Sequence, residues 1–258
     1  MTPPSYYRRR PGGFYEPTVN VQGVWNEAEQ HMAPVSGLLV HAIEEHEPRE
    51  DLQLARITFE ILGVVPAALT EITVTTIRPG RTIELVEAVL VAGGRPAVRA
   101  HAWRMSRQST AEIAGGAPEA LPAPETMADW KGTVTWPGGY IRTLDGRQAE
   151  GSSPGRGQVW LRTDVCLVED VEASPTAAFI GLVDTANGVL VREDPKEWVF
   201  PNIDLSIHLW RRPVAGWVGF DTTVVFGGDG IGLTSTILHD IEGPVGRSEQ
   251  ILTIRRRT

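Results

Sequence analysis

The sequence predicts an α+β protein built as two tandem modules, each a curved antiparallel sheet wrapped around one central helix. Three observations predict it. Runs of alternating apolar and polar residues, the period of a half-buried strand, cluster twice along the chain. One helical signal precedes each cluster of four strands. Turn residues of the two clusters also superpose at nearly one spacing, Pro66 on Pro213 (213−66=147) and Pro96 on Pro244 (244−96=148), as a duplication requires.

A strand signal near Phe14–Val24 opens the first module. His31–Glu47 then reads as a helix, because Met32, Val35, Leu38, Leu39, Ala42 and Ile43 recur at the i, i+3, i+4 spacing of one helical face. Ile57, Phe59 and Ile61 alternate with Arg56, Thr58 and Glu60, a half-buried strand, and similar runs follow at Leu69–Ile77, Thr82–Ala92 and Ala97–Met105. Gly93-Gly94 supplies the turn between the last two. The second module repeats the plan with a strand at Val159–Val168 and a helix from Pro175 to about Asn187. Strands follow at Asn202–Trp210, Gly216–Phe226, Ile231–His239 and Val245–Ile254. Pro175 suits a first helical turn and Gly188 the C′ position. This second helix is apolar nearly all round, so protein must enclose it. Between the modules, Ser106–Gly157 is rich in Ala, Pro and Gly and reads mainly as a connection. The division is therefore 1–106, 107–157 and 158–258.

Composition narrows the function classes. A net charge of −8 and a pI near 5.3 argue against a general nucleic-acid binder or a basic membrane-surface protein. The single cysteine, Cys166, excludes an internal disulfide and a paired-cysteine zinc site, and fits a cytoplasmic location. No apolar run reaches the roughly 18 residues of a membrane helix, and Met1–Gly13 has no apolar core to serve as a secretory signal.

Three polar residues interrupt otherwise apolar segments of the second module. Asp184 stands in Phe179-Ile-Gly-Leu-Val-Asp-Thr-Ala-Asn-Gly188, Asn202 in Phe200-Pro-Asn-Ile-Asp-Leu-Ser-Ile-His208, and Gln250 in Gly243-Pro-Val-Gly-Arg-Ser-Glu-Gln-Ile-Leu-Thr-Ile-Arg255. A buried carboxylate and two buried amides are costly unless they bond one another, water or a ligand. Around one point they can hold and polarise a water molecule. Each has a plainer reading too: Asp184 as a helix-end hydrogen-bonder, Asn202 as a brace at a strand entrance, Gln250 as the solvent face of an edge strand.

The plan and these motifs resemble the acyl-CoA thioesterase II (TesB-like) family, in particular its actinobacterial thioesterase-like branch, with the double hotdog fold. The resemblance covers most of the chain outside the linker and tails and is strongest from Trp160 onward. It implies hydrolysis of acyl-CoA to free CoA and a carboxylic acid, without metal or covalent intermediate; no separate cofactor is implied, CoA entering only as part of the substrate. It places the catalytic set on Asp184, Asn202 and Gln250, with an amide at 202 where the family carries Thr or Ser. It also implies a homo-oligomer. At the spacing of the prolines, the three positions fall on Ser36/Gly37, Ala55 and Ala102 in the first module, which therefore lacks the set. Two other functions share the fold: a catalytically weak acyl or acyl-CoA binding protein, suggested by Asn202, and a hydratase. The hydratase wants a histidine about five residues after its aspartate, where this chain has Val189.

Other motifs carry less. Gly151-Ser-Ser153-Pro-Gly155 matches a serine-nucleophile pattern, but lies in the connection without the strand and helix that such an elbow needs. Gly227-Gly-Asp-Gly-Ile-Gly232 lacks the following helix and Lys-Ser/Thr of a phosphate loop and reads as a hairpin. The six histidines show no metal-ligand spacing. The clusters Arg8–Arg10 and Arg255–Arg257 read as solvated tails, with contact to CoA phosphates as the alternative. Trp198 and Trp210 flank the candidate site.

Overall fold

The alternating runs form strands in a computed structural model that describes residues 4–257. In chain order the elements are β1 (Ser5–Arg10), β2 (Phe14–Pro17), α1 (Met32–Glu45), β3 (Leu52–Ile61), β4 (Thr70–Arg78), β5 (Ile83–Ala92), β6 (Arg95–Ser106), β7 (Ala128–Asp129), α2 (Gly132–Thr135) and β8 (Leu144–Gln148). Then come β9 (Arg156–Thr163), β10 (Cys166–Val168), α3 (Pro175–Val183), α4 (Ala186–Val189), β11 (Trp198–Val199), β12 (Asp204–Leu209), β13 (Val218–Phe226), β14 (Ile231–Asp240), β15 (Gly243–Thr253) and β16 (Arg255–Arg256). Fourteen strands make one sheet in the order β10-β1-β2-β4-β5-β6-β3-β12-β15-β14-β13-β9-β8-β7, and β11 and β16 pair separately. Antiparallel pairing of β3 with β12, Ile57 opposite Ile207, joins the two modules at the centre of the sheet.

The registers record the duplication. Val74 pairs with Ala88 and Ala88 with Ala100 in the first module; in the second, Thr222 pairs with Thr236 and Thr236 with Ser248, each 148 residues later (236−88=148). A β-bulge falls between Leu90 and Val91, and its counterpart between Leu238 and His239, at the same spacing (238−90=148). Bulges re-aim a strand at a chosen point, so an identical placement is a structural signature of common origin.

The helices follow a different spacing. Helices α1 and α3 cross where Gly37 meets Gly181: a Cβ on Gly37 would lie 2.8 Å from Gly181 Cα and 3.0 Å from Ala177 O, so only glycine permits the approach. From Gly181 the nearest contacts are Gly37 and Ala33, the mirror pair, giving 181−37=144. Asp184 thus corresponds to Val40, not to Ser36/Gly37, because the loop between helix and strands differs by four residues in the two modules. Gln250 corresponds to Ala102, and Asn202 to Leu54 beside the bulged Ala55.

Leu38, Leu39, Ile43 and Ile180 are fully buried between the helices and the sheet, each contributing about 1.5–3 kcal/mol. Helix α3 is buried nearly all round, as its composition requires. It starts on Ser174, whose hydroxyl accepts Ala177 N–H, with Pro175 at its first position.

Two expectations are corrected here. Part of the 107–157 connection is ordered structure: β8 extends the second module's sheet beside β9, and Trp136 and Tyr140 are buried. The arginine clusters are not tails. Arg8, Arg9 and Arg10 lie on β1 and pair with Glu169, Glu45 and Glu16; Arg255 and Arg256 form β16 against β11. No helix among the described residues is long and apolar enough to cross a membrane.

Candidate active site

Asp184 caps the C-terminus of α3. The helical ladder breaks there: Ser36 donates its hydroxyl to Ile180 O at 2.9 Å, and Thr185 N–H reaches Leu182 O in a tighter turn. The break turns the Asp184 side chain toward β12 and β15. Asn202 Nδ2 donates to Asp184 Oδ1 at 2.8 Å and Gln250 Nε2 donates to the same oxygen at 3.0 Å. Gln250 Nε2 also lies 3.3 Å from Asp184 O, and Asn202 Nδ2 3.0 Å from Asp204 O. Three residues drawn from distant parts of the second module therefore meet on one carboxylate oxygen.

Burial dominates the electrostatics. It pushes Asp184 up to about 6, against the two amide donors, which favour the ionised form. Oδ1 is saturated by the amides, which leaves Oδ2 as the oxygen free for chemistry. Asp184 lines a cavity of about 260 Å³, with Asn202, Thr185 and His31 around it. Gln250 is fully buried behind the carboxylate and is not part of the cavity wall; its Oε1 has no partner among the described residues. Its contact is with Asp184, so it positions the carboxylate.

Much of the rest of the wall is aromatic, and Trp25, Trp130 and Trp136 come from segments that sequence reasoning passed over. Trp25, Trp136 and Phe200 meet edge-to-face, with centroids 5.1–5.9 Å apart. Trp130 Nε1 donates to Val189 O and Trp136 Nε1 to Gly188 O, so the connection supplies donors for the open carbonyls at the end of α4. Trp198 and Trp210 do not line the cavity.

His31 was also missed. It lines the cavity and caps α1, its Nδ1 accepting Ala33 N–H at 3.1 Å. The same Nδ1 lies 3.6 Å from Asp184 Oδ2. That approach is not an ion pair, because burial holds the imidazole down at about 3 and the ring is neutral. Its face rests on Tyr140, with centroids 4.2 Å apart, and Tyr140 Oη is bonded to Thr185 Oγ1 at 2.6 Å. Among the described residues no group of three or more His, Cys, Asp or Glu is arranged to hold a metal ion.

Comparison with known proteins identifies the family and the fold. The model of the acyl-CoA thioesterase N-terminal domain matches residues 21–105, and that of the acyl-CoA thioesterase C-terminal domain residues 118–254. No curated protein matches the chain in sequence. Solved structures share its fold at low identity. A hot dog fold protein of unknown function from Alicyclobacillus acidocaldarius is 13% identical, with a TM-score of 0.75 over 96% of both chains. The acyl-CoA thioesterase II TesB2 of Mycobacterium marinum is 16% identical, with a TM-score of 0.66 over 98% of this chain and 95% of its own. The tesB protein of Mycobacterium avium subs paratuberculosis is 16% identical, with a TM-score of 0.68 over 96% and 95%. With both of its modules matched in sequence and the double hotdog fold in place, the chain belongs to the acyl-CoA thioesterase family.

Proposed function

We propose that the protein hydrolyses acyl-CoA thioesters by direct attack of a water molecule that Asp184 activates. The observation that carries this reading is the one-sided clamp on the carboxylate: two amides hold Oδ1, while Oδ2 accepts no hydrogen bond among the described residues and Asp184 lines the cavity. A carboxylate with a pKa near 6 is ionised at neutral pH and still basic enough to take a proton. Water bonded to Oδ2 gives its proton to Asp184 as its oxygen adds to the thioester carbon. The tetrahedral intermediate then collapses with breakage of the C–S bond. Asp184 returns the proton to the departing thiolate, giving CoA and the carboxylic acid. Asn202 donates to Asp184 where the family carries a hydroxyl; its amide can make that hydrogen bond but cannot relay a proton as a hydroxyl could.

The Trp25, Trp136 and Phe200 walls of the cavity favour an apolar acyl chain. An adjoining cleft of about 470 Å³ shares Trp25 and Trp136 with the cavity and carries Lys196 and Arg257. Arg257 is anchored there through its N–H on Glu197 O and its guanidinium on Pro195 O. In this reading the CoA phosphates lie along that cleft.

The experiment is CoA release, followed with a thiol reagent, across straight-chain acyl-CoAs from four to sixteen carbons. Release at one or more chain lengths that is lost in Asp184→Asn supports the reading. No release at any length, with acyl-CoA still bound, turns the protein into a binder.

A further inference from the structure

We propose that His31, on the N-terminal module, donates its Nε2–H to the thioester carbonyl oxygen and stabilises the oxyanion formed when water adds. The inference rests on the thioesterase reading and assigns the electrophilic half of that site. Ala33 N–H occupies Nδ1, so the proton of the neutral ring sits on Nε2. Among the described residues Nε2 has no hydrogen-bond partner, and it is not one of the sealed, partnerless atoms of the interior. The ring lines the cavity beside Asp184 and is held against the Tyr140 face. A side chain fixed by its cap, its stacking partner and burial loses little freedom on meeting a developing charge, which is the condition for effective stabilisation.

The position at the start of α1 adds to this. The helix presents the positive end of its dipole, and a neutral imidazole at a helix N-terminus is a competent donor to an oxyanion. An imidazolium there would pair with Asp184 and quench the base. Met32, the first residue of α1, lines the same cavity, and its N–H has no acceptor among the described residues. His31 is unsuited to act as a base, since its acceptor nitrogen is already filled and burial keeps it unprotonated.

Two substitutions separate donor from cap. His31→Asn keeps an acceptor where Nδ1 stands and removes Nε2; His31→Gln keeps an N–H near Nε2 and weakens the cap. The expected result is a kcat lower by about 100-fold in His31→Asn, with KM within about threefold and Tm near wild type. His31→Gln should keep kcat within about tenfold of wild type while losing Tm. Wild-type kcat in His31→Asn, or losses in both variants that follow Tm, would overturn the assignment. A second readout does not depend on turnover: the infrared carbonyl band of a ¹³C-labelled octanoyl-CoA ketone, with CH₂ in place of sulfur, bound to the protein. The band should move to lower frequency on binding and return toward its free position in His31→Asn. A His31-dependent shift in a protein that releases no CoA would sink the hydrolase reading and keep the donor. An unchanged shift in His31→Asn would sink the donor alone. Failure of the ketone to bind would overturn both.

Discussion

The two modules enclose two crevices related by the same pseudo-symmetry, and only one of them holds the cluster of Asp184, Asn202 and Gln250. In the first, the C-terminus of α3 meets the N-terminus of α1, bringing Asp184 to His31. In the second, the C-terminal part of α1 meets the N-terminus of α3, with Val40 where the first has Asp184 and Ser174 at the cap. The second crevice is larger, about 680 Å³ against 260 Å³. Size is therefore not what makes the site. The sheet beneath shows the same divergence: Val74, Val86, Ala88, Ala100 and Ala102 in the first module stand where the second has Thr222, Thr234, Thr236, Ser248 and Gln250. The fold supplies a cleft twice; the larger one is polar too, with Glu44, Arg49 and Arg104 in its wall, but only the smaller one holds a carboxylate clamped by two side-chain amides.

The largest effect should come from erasing that difference at its centre. Asp184→Asn is expected to lower kcat about 1,000-fold, while wild-type kcat/KM rises with pH through an apparent pKa near 6 and then levels. Stability should move the other way. A carboxyl whose folded pKa exceeds its unfolded 3.8 stabilises the fold fully below about pH 4, and that contribution is lost as pH rises through about 6. On the order of 3 kcal/mol is at stake, so Asp184→Asn should melt no lower than wild type at pH 7.5 by calorimetry.

The helix crossing sharpens the comparison next. Gly37→Ala should cost about 2–3 kcal/mol in denaturant unfolding, because its Cβ meets backbone at 2.8 Å. Gly181→Ala should be tolerated, since a Cβ there lies 3.6 Å from Gly37 Cα. Equal costs would mean that the crossing is looser than described.

Gln250→Ala restores the first module's residue. It should lower kcat by roughly 10- to 150-fold through loss of one charge-assisted bond of about 1.5–3 kcal/mol, and raise the apparent pKa of the rate profile. An unchanged pKa would contradict its contact with Asp184. The smallest effect is at Thr234, whose buried hydroxyl has no partner among the described residues. Thr234→Val, the residue of Val86, should stabilise by about 1 kcal/mol with kcat unchanged; destabilisation would reveal a bonded partner.

What could be read from the sequence follows from physics. Asp184, Asn202 and Gln250 stood out because each breaks an apolar run, and the strands because their period is local. His31 carried no such signal, since a histidine at a helix start reads as an ordinary cap. Trp25, Trp130, Trp136 and Tyr140 lie in segments without periodicity, and their place depends on contacts across the chain. The parallel pairing of β1 with β10 joins Ser5 to Cys166, 161 residues on (166−5=161), and no local pattern announces it.

The most direct test of the account is a single turnover of octanoyl-CoA in H₂¹⁸O with enzyme in excess. Direct attack on the thioester carbon by a water held at Asp184 Oδ2 predicts one ¹⁸O in every octanoate released and none in the protein. Unlabelled octanoate in that first turnover, with ¹⁸O appearing in the Asp184 carboxyl, would show that the carboxylate itself attacks, and would contradict it.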